Sequence, residues 1–319
     1  MSASDSVSIV IPVFNEEANL PELIRRTQAV CRNLARSCEI ILVDDGSRDA
    51  SRDLINRSVA ANPGEIVGVF LNRNYGQHAA VMAGFAQARG EIVVTLDADL
   101  QNPPEEIAPL VKKMDEGMDV VGSIRVPRRD SLFRRFSSFL VNKMTAQVTG
   151  VVMHDYGCML RSYRRGVVQA MLQCHERSTF IPVLANSFAR RTAEIEVRHE
   201  QRREGASKYS LWKLINLQFD LLTSITTLPL RLLSIAGVLI SLLGVGLGAL
   251  ILILRFIWGP EWAAMGVFTL FAILFIFVGG QFVAMGVMGE YIGRTYTDVR
   301  GRPRYFVEQI VGQSRLKAP

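Results

Sequence analysis

The chain has 319 residues, enough for one α/β domain of ordinary size with a membrane segment beside it. Lys and Arg number 36 against 30 Asp and Glu, a net charge of +6. That bias suits nucleic acid, anionic lipid or phosphorylated ligands, and the apolar segments farther along favour the last two over nucleic acid. The four cysteines, Cys31, Cys38, Cys158 and Cys174, show neither a Cys-x-x-Cys pair nor metal-ligand spacing. A zinc framework is thereby excluded, and reduced thiols in a cytosolic domain are expected.

Met1 to Ser6 is short, polar and unlike a secretory signal, so the domain that follows is expected to stay in the cytoplasm. Apolar, β-branched runs at 7–13, 40–43, 66–71, 92–96 and 120–122 alternate with helical stretches at 20–35, 50–61, 78–89 and 105–116. Asn19 ahead of Pro21, and the string Asn102-Pro103-Pro104-Glu105-Glu106, mark helix starts with a cap, prolines and acids that suit the positive end of the helix dipole. Strands alternating with helices predict an α/β fold with a mostly parallel sheet covered on both faces. Residues 125–203 mix basic helices with a strand at 195–199. In 209–228 the side chains of Trp212, Ile215, Phe219 and Leu222 fall near one face, the pattern either of a helix lying on a bilayer surface or of one packed on the soluble domain.

Residues 232–254 and 262–289 contain no charge, and each exceeds the roughly 20 apolar residues a spanning helix needs. Two transmembrane helices are expected. Arg231 precedes the first, while Arg294, Arg300, Arg302 and Arg304 follow the second, which places both chain ends in the cytoplasm and the connector 255–261 outside. Gly244, Gly248, Gly279, Gly280, Gly286 and Gly289 suit close packing of the two spans or a homo-oligomer. The expected divisions are a soluble α/β domain over 1–206, an amphipathic juxtamembrane region over 207–231, the two spans within 232–289, and a basic cytoplasmic tail over 290–319.

In a parallel sheet, ligands bind beyond the carboxyl ends of the strands. Three such ends carry acids: Asn15-Glu16-Glu17, Asp44-Asp45-Gly46-Ser47 and Asp97-Ala98-Asp99. A single acid after a strand is often a helix cap, a reading that fits Glu17 and Asp49 best. Three clusters on one edge repel one another unless something neutralises them. Hard carboxylate oxygens without His or Cys nearby indicate Mg²⁺ or Mn²⁺ over Zn²⁺. In the Asp97-Ala98-Asp99 pattern one carboxylate can reach the ion while the other holds ribose or ion-bound water, and Gln101 can add a neutral oxygen. Such an ion would bridge diphosphate oxygens and stabilise charge on a leaving nucleotide.

Val10–Glu17 (VIPVFNEE), the Asp-Asp-Gly-Ser, the Asp-Ala-Asp and residues 71–78 (LNRNYGQH) together resemble family 2 glycosyltransferases of the GT-A type, in their polyprenyl-phosphate branch. The likeness runs over about 7–307, and the longer strings at 97–107, 155–165, 174–185 and 289–307 resemble one group within that branch. The resemblance implies a GT-A domain followed by amphipathic juxtamembrane helices and two transmembrane helices in the bacterial inner membrane. It implies inverting transfer of 4-deoxy-4-formamido-L-arabinose from UDP to undecaprenyl phosphate, for lipid A modification and polymyxin resistance. By the same resemblance Glu17 and Asp45 hold the uridine, Pro12, Asp44, Asp97 and Ala98 complete the donor site, and Asp97, Asp99 and Gln101 form the metal site. Ala206, where relatives often carry an acid, is a small departure.

Arg125, Arg128, Arg129, Arg134 and Arg135 cluster after the fifth strand, and Arg202, Arg203, Ser207 and Lys208 precede the amphipathic helix. Arginine suits bidentate phosphate binding and lysine acts as a point charge. Arg125, Arg128, Arg134, Arg203, Ser207 and Lys208 are therefore the candidates for a lipid-linked phosphate, the other reading being attraction to membrane lipid headgroups. A phosphate acceptor, its second pKa about 6, is already anionic and needs positioning more than a general base. His78 either sits near the diphosphate with Arg73 or is structural, and Asp155 either orients an arginine or the donor sugar or ends a turn. Asp97, Asp99, Arg203 and Asp155 are the catalytic candidates. Among rivals, a processive polysaccharide synthase lacks support because Gln201-Arg202-Arg203 is not followed by the tryptophan of a Gln-x-x-Arg-Trp motif. A glucosyl- or mannosyltransferase acting on the same lipid, and an inactive membrane scaffold, are the others.

Overall fold

The computed structural model describes residues 6–126, 157–174, 180–198, 228–258 and 267–316. The chain divides into two compact units, one of residues 1–221 with 302–319 and one of residues 222–301.

The first unit is built on an eight-stranded sheet. In chain order its strands are β1 (Ser6–Val13), β2 (Ser37–Asp44), β3 (Ile66–Leu71), β4 (Ile92–Thr95), β5 (Val120–Val126), β6 (Arg161–Arg164), β7 (Thr192–Arg198) and β8 (Val307–Val311). They lie in the order β7-β5-β6-β4-β1-β2-β3-β8. Pairing is parallel for β1 with β2 and β4, for β2 with β3 and for β5 with β7, whereas β6 and β8 run against their neighbours. The expected mostly parallel sheet is what forms.

Helices cover both faces. Helix α1 (Leu20–Asn33) starts with proline in its first turn and buries Leu20, Leu23, Ile24, Thr27 and Val30, the spacing that puts one stripe of a 3.6-residue helix against a sheet. It packs on one face with α2 (Ser51–Ala61) and α4 (Ile107–Asp115), in a core that takes in Ile9, Ile11, Ile40, Leu42, Ile92 and Val94. Alternate strand residues point the other way. There α3 (Gln77–Gln87) lies so close that a Cβ on Gly84 would meet Val10 Cγ1 at 2.3 Å and Val43 Cγ2 at 3.0 Å. Helix α5 (Arg165–Gln173) contacts α3, and α6 (Ile181–Phe188) contacts α5.

Two strands lie where the sequence reading expected none. β6 reads Arg-Ser-Tyr-Arg, yet Arg161, Ser162 and Tyr163 are buried; Arg161 Nε donates to Cys158 O at 2.9 Å and the strand is paired on both sides. β8 falls where a basic tail was expected. Residues 290–299 continue a helix, and 307–311 return as an antiparallel edge strand on β3. Around it the Arg52 guanidinium meets Glu308 at 3.0 Å, Asn72 N–H donates to Phe306 O at 3.3 Å, and Tyr305 O–H donates to Met82 O at 3.4 Å.

Cys31 and Cys38, expected as separate thiols, are joined in the structure, their Cα atoms 5.7 Å apart across the short turn from α1 to β2. That spacing is ordinary for a disulfide. Cys158 and Cys174 are free.

The second unit holds α7 (Leu228–Trp258, 31 residues) and α8 (Val267–Val299, 33 residues), which contact each other. Large apolar side chains such as Leu239, Leu243, Phe282 and Val283 are exposed on them. Among the described side chains alone, no helix is long and apolar enough to cross a membrane. The amphipathic stretch expected at 209–228 lies almost wholly outside the described residues.

Candidate active site

The parallel arrangement carries the acids to one edge. Register pairs Val13 with Asp44, Asp44 with Phe70 and Val10 with Thr95, so the loops after β1, β2, β3 and β4 all leave on the same side. They enclose a cleft of about 410 Å³ whose lining includes Pro12, Glu16, Asp45, Gln77, Asp97 and Asp99.

The loops after β1, β2 and β3 are clasped together through backbone amides. Asp45 Oδ1 accepts from Tyr75 N at 2.7 Å and Oδ2 from Gly76 N at 2.9 Å, which ties the end of β2 to the entry of α3. Burial raises the Asp45 carboxyl above its ordinary range, opposed by those two amides. Gly46 makes the approach possible: its φ is +70°, and a Cβ there would lie 2.5 Å from the Arg73 carbonyl carbon. No other residue type combines that backbone with that clearance. From β1, Asn15 sits in the left-handed region at φ 54° and accepts from Arg48 N through Oδ1 at 2.8 Å.

Neighbouring acids differ in placement. Asp44 is fully buried behind the cleft, where Oδ1 accepts from Ser47 N at 3.1 Å and Oδ2 has no hydrogen-bond partner. Burial pushes its carboxyl up, with Ser47 opposing. Glu17 is exposed and off the cleft lining; its Oε2 accepts from Ala50 N at 2.8 Å, capping the entry to α2. Glu16, its neighbour in the same acidic cluster, does line the cleft.

The loop after β4 is different. Asp97 is half-buried; Oδ1 accepts from Gln77 Nε2 at 2.6 Å and Oδ2 from Asn102 Nδ2 at 3.4 Å. Burial and then the neighbouring Asp99 charge push the Asp97 carboxyl up to about 7, opposed by Arg125, Gln77 and Asn102. Ala98 lines the cleft between the two aspartates. Asp99 Oδ1 accepts from the Gln101 backbone N–H at 3.1 Å, and Leu100 between them is held at φ 59°, an uncommon backbone for leucine. Gln101 is half-buried and does not line the cleft.

Of the remaining candidates, Arg125 lies at the end of β5, near enough to act electrostatically on Asp97. Arg73 is exposed with its guanidinium 4.8 Å from the Tyr75 ring centroid. His78 lies off the cleft lining, its ring edge-on to Phe180 at 5.3 Å, its Nδ1 buried without a hydrogen bond and its pKa lowered by burial. Asp155, Arg128, Arg129, Arg134, Arg135, Arg202, Arg203, Ser207 and Lys208 lie outside the described residues.

Among the described residues, no three His, Cys, Asp or Glu side chains converge as a metal cage. A structural zinc site does not fit. The pair Asp97 and Asp99, open to a cleft and mutually repelling, does fit a hard cation of the Mg²⁺ type, which is usually held by one or two carboxylates and completed by substrate phosphates.

Residues 8–172, from β1 into α5, match Glycosyl transferase family 2, and the chain belongs to that family. At the level of particular relatives, a Serratia proteamaculans protein named undecaprenyl-phosphate 4-deoxy-4-formamido-L-arabinose transferase is 61% identical over 308 residues, 96% of this chain and 94% of the relative. Proteins of the same name from Yersinia enterocolitica and Klebsiella pneumoniae are 60% and 59% identical, covering 98% and 96% of this chain and 95% and 94% of the relatives. Among solved structures, glucosyl-3-phosphoglycerate synthase from Mycobacterium tuberculosis, in complex with Mn²⁺, UDP and phosphoglyceric acid, aligns at TM-score 0.50 and 18% identity over 70% of this chain and 78% of that one. That likeness is one of fold.

Proposed function

We propose that the chain transfers 4-deoxy-4-formamido-L-arabinose from its UDP donor to the phosphate of undecaprenyl phosphate, with inversion and with a divalent cation, for lipid A modification and polymyxin resistance. The observation that carries this is the convergence of Asp45, Asp97 and Asp99 on one cleft at the carboxyl edge of the sheet. The identity to transferases of that name supports the choice of donor and acceptor.

Pro12, Asp45, Asp97 and Ala98 face the donor, while Asp44, Glu17 and His78 brace the walls behind them, and Arg73 stands at the open side near the diphosphate. Asp97 and Asp99 hold Mg²⁺ or Mn²⁺, while Gln101, off the cleft lining, steadies Asp99 through its backbone N–H. When bound, the ion neutralises charge on the diphosphate as the bond to the anomeric carbon breaks. Arg125 flanks the aspartates where an incoming phosphate would need a cation. Arg128, Arg134, Arg203, Ser207, Lys208 and Asp155 join it on the strength of the sequence. The acceptor phosphate oxygen attacks the anomeric carbon while the carbon–oxygen bond to UDP breaks; the acceptor is already anionic, so the residues position it and need not deprotonate it.

Helices α7 and α8 are proposed to cross the bacterial inner membrane, leaving the catalytic unit and both chain ends in the cytoplasm. The uncharged runs 232–254 and 262–289, the arginines after the second and the apolar side chains exposed on both helices support this. The test is mass spectrometry of lipid products after purified protein meets undecaprenyl phosphate and a panel of UDP-sugars. A formamido-arabinosyl phosphate product is expected. Exclusive use of UDP-glucose, or of a mannosyl donor, would reassign the donor, and no product from any donor would argue for a scaffold.

A further inference from the structure

Gln77 belongs to none of the charged clusters, yet it occupies the joint between them. Gly76, the residue before it, donates its N–H to Asp45 Oδ2 at 2.9 Å and adopts φ 93° at the entry to α3. Gln77 is the first residue of α3, lines the cleft, and reaches Asp97 Oδ1 with its Nε2 at 2.6 Å. On the other oxygen, Asn102 is at 3.4 Å, beyond the usual range for a strong bond. The orientation of the Asp97 carboxylate in the cleft therefore depends chiefly on Gln77. A carboxylate oxygen has two acceptor directions, so the Gln77 bond leaves Oδ1 free to accept or ligate a second time. Two adjacent residues thus grip Asp45 and Asp97, and the start of α3 cannot move without disturbing both.

Resting on the metal reading above, we infer that Gln77 is a positioning residue for the cation site, which aims Asp97 into the cleft and ties that aim to the Asp45 loop. Hydrogen bonds to ligating carboxylates are worth about 10–100-fold in metal affinity. Gln77 is exposed, so its replacement removes the donor with little effect on the core.

The experiment is Mn²⁺ binding to the full-length purified protein, read from the electron paramagnetic resonance signal of free Mn²⁺, with and without UDP and independent of turnover. Gln77→Met keeps the length of the side chain without its donor, and Gln77→Ala removes it. Both are expected to bind Mn²⁺ about tenfold more weakly than wild type, to show a smaller gain in Mn²⁺ affinity on adding UDP, and to unfold within about a degree of wild type. In turnover the loss should appear in the Mn²⁺ half-saturation more than in kcat. Wild-type or tighter Mn²⁺ affinity in both variants would overturn the role of Gln77 and leave the metal reading standing. Absence of Mn²⁺ binding to wild type, with or without UDP, would overturn the metal reading and this inference together.

Discussion

The two acidic loops at the cleft solve the same electrostatic problem in different ways. After β2, Asp45 is held by two backbone N–H groups and locked by the Gly46 approach to the Arg73 backbone. After β4, Asp97 has side-chain amides in place of backbone N–H groups, the Arg125 charge and a like-charged neighbour, and its carboxyl is pushed up to about 7. The first loop is complete as the chain folds. In the proposed reading the second is completed by a cation, which would separate a donor-holding loop from a chemical one.

The comparison breaks most sharply at Asp99. Asp99→Asn keeps shape and the contact to Gln101 N–H through its carbonyl oxygen, but removes the charge needed for the ion. Transfer should fall about a thousandfold or more, as measured by product formation, with membrane insertion intact. Turnover near wild type would remove Asp99 from the ion site.

Next in size is Gly46→Ala, which forces a Cβ to within 2.5 Å of the Arg73 backbone at a φ of +70°. A loss of about 3 kcal/mol in unfolding free energy is expected in denaturant titration. A neutral outcome would mean that the loops after β2 and β3 are not interlocked.

The third concerns pH. In the metal-free protein the folded Asp97 carboxyl titrates near 7, against an ordinary value of 3.8. Between those values the folded state binds a proton that the unfolded state has lost, so stability falls as pH rises across this window and is lowest above 7. Relative to Asp97→Asn, wild type without metal should lose on the order of 1–3 kcal/mol from pH 4 to pH 8, the range reflecting solvent screening. Mn²⁺ should reverse the trend, binding more tightly as pH rises through 7. Parallel pH curves for the two proteins would show that Asp97 titrates normally.

Asp45→Asn is the smallest effect. Its amide nitrogen cannot accept, so one of the two bonds to Tyr75 and Gly76 is lost, and UDP binding should weaken about tenfold by calorimetry.

Much of this was legible in the residues alone. Strands β1 to β4 are continuous apolar runs because they are buried on both faces, and α1 announces itself through Pro21 and a stripe that repeats every three or four positions. The acids stood out because charge directly after a strand in a parallel sheet points to the ligand edge, and Asp45, Asp97 and Asp99 do line one cleft. Where polarity and burial part company, the pattern fails. Arg161 lies fully buried in β6, and Val307–Val311, with two polar residues in sequence and no strict alternation, hides an edge strand in a basic tail. That Glu16 lines the cleft while Glu17 caps α2 depends on side-chain direction, which a loop does not encode by periodicity. Gln77 and Asn102 escaped because carboxamides carry no charge to flag them. The Cys31–Cys38 pairing depends on how tightly α1 turns into β2, and spacing along the chain does not record that distance.

The proposal of a divalent cation between Asp97, Asp99 and the sugar nucleotide is tested most directly by chelation. Sugar transfer to undecaprenyl phosphate is measured in purified protein before and after EDTA treatment, then after adding back Mn²⁺ or Mg²⁺. Transfer should drop to background and return with either ion. Undiminished transfer in the chelator would contradict the assignment of the two aspartates.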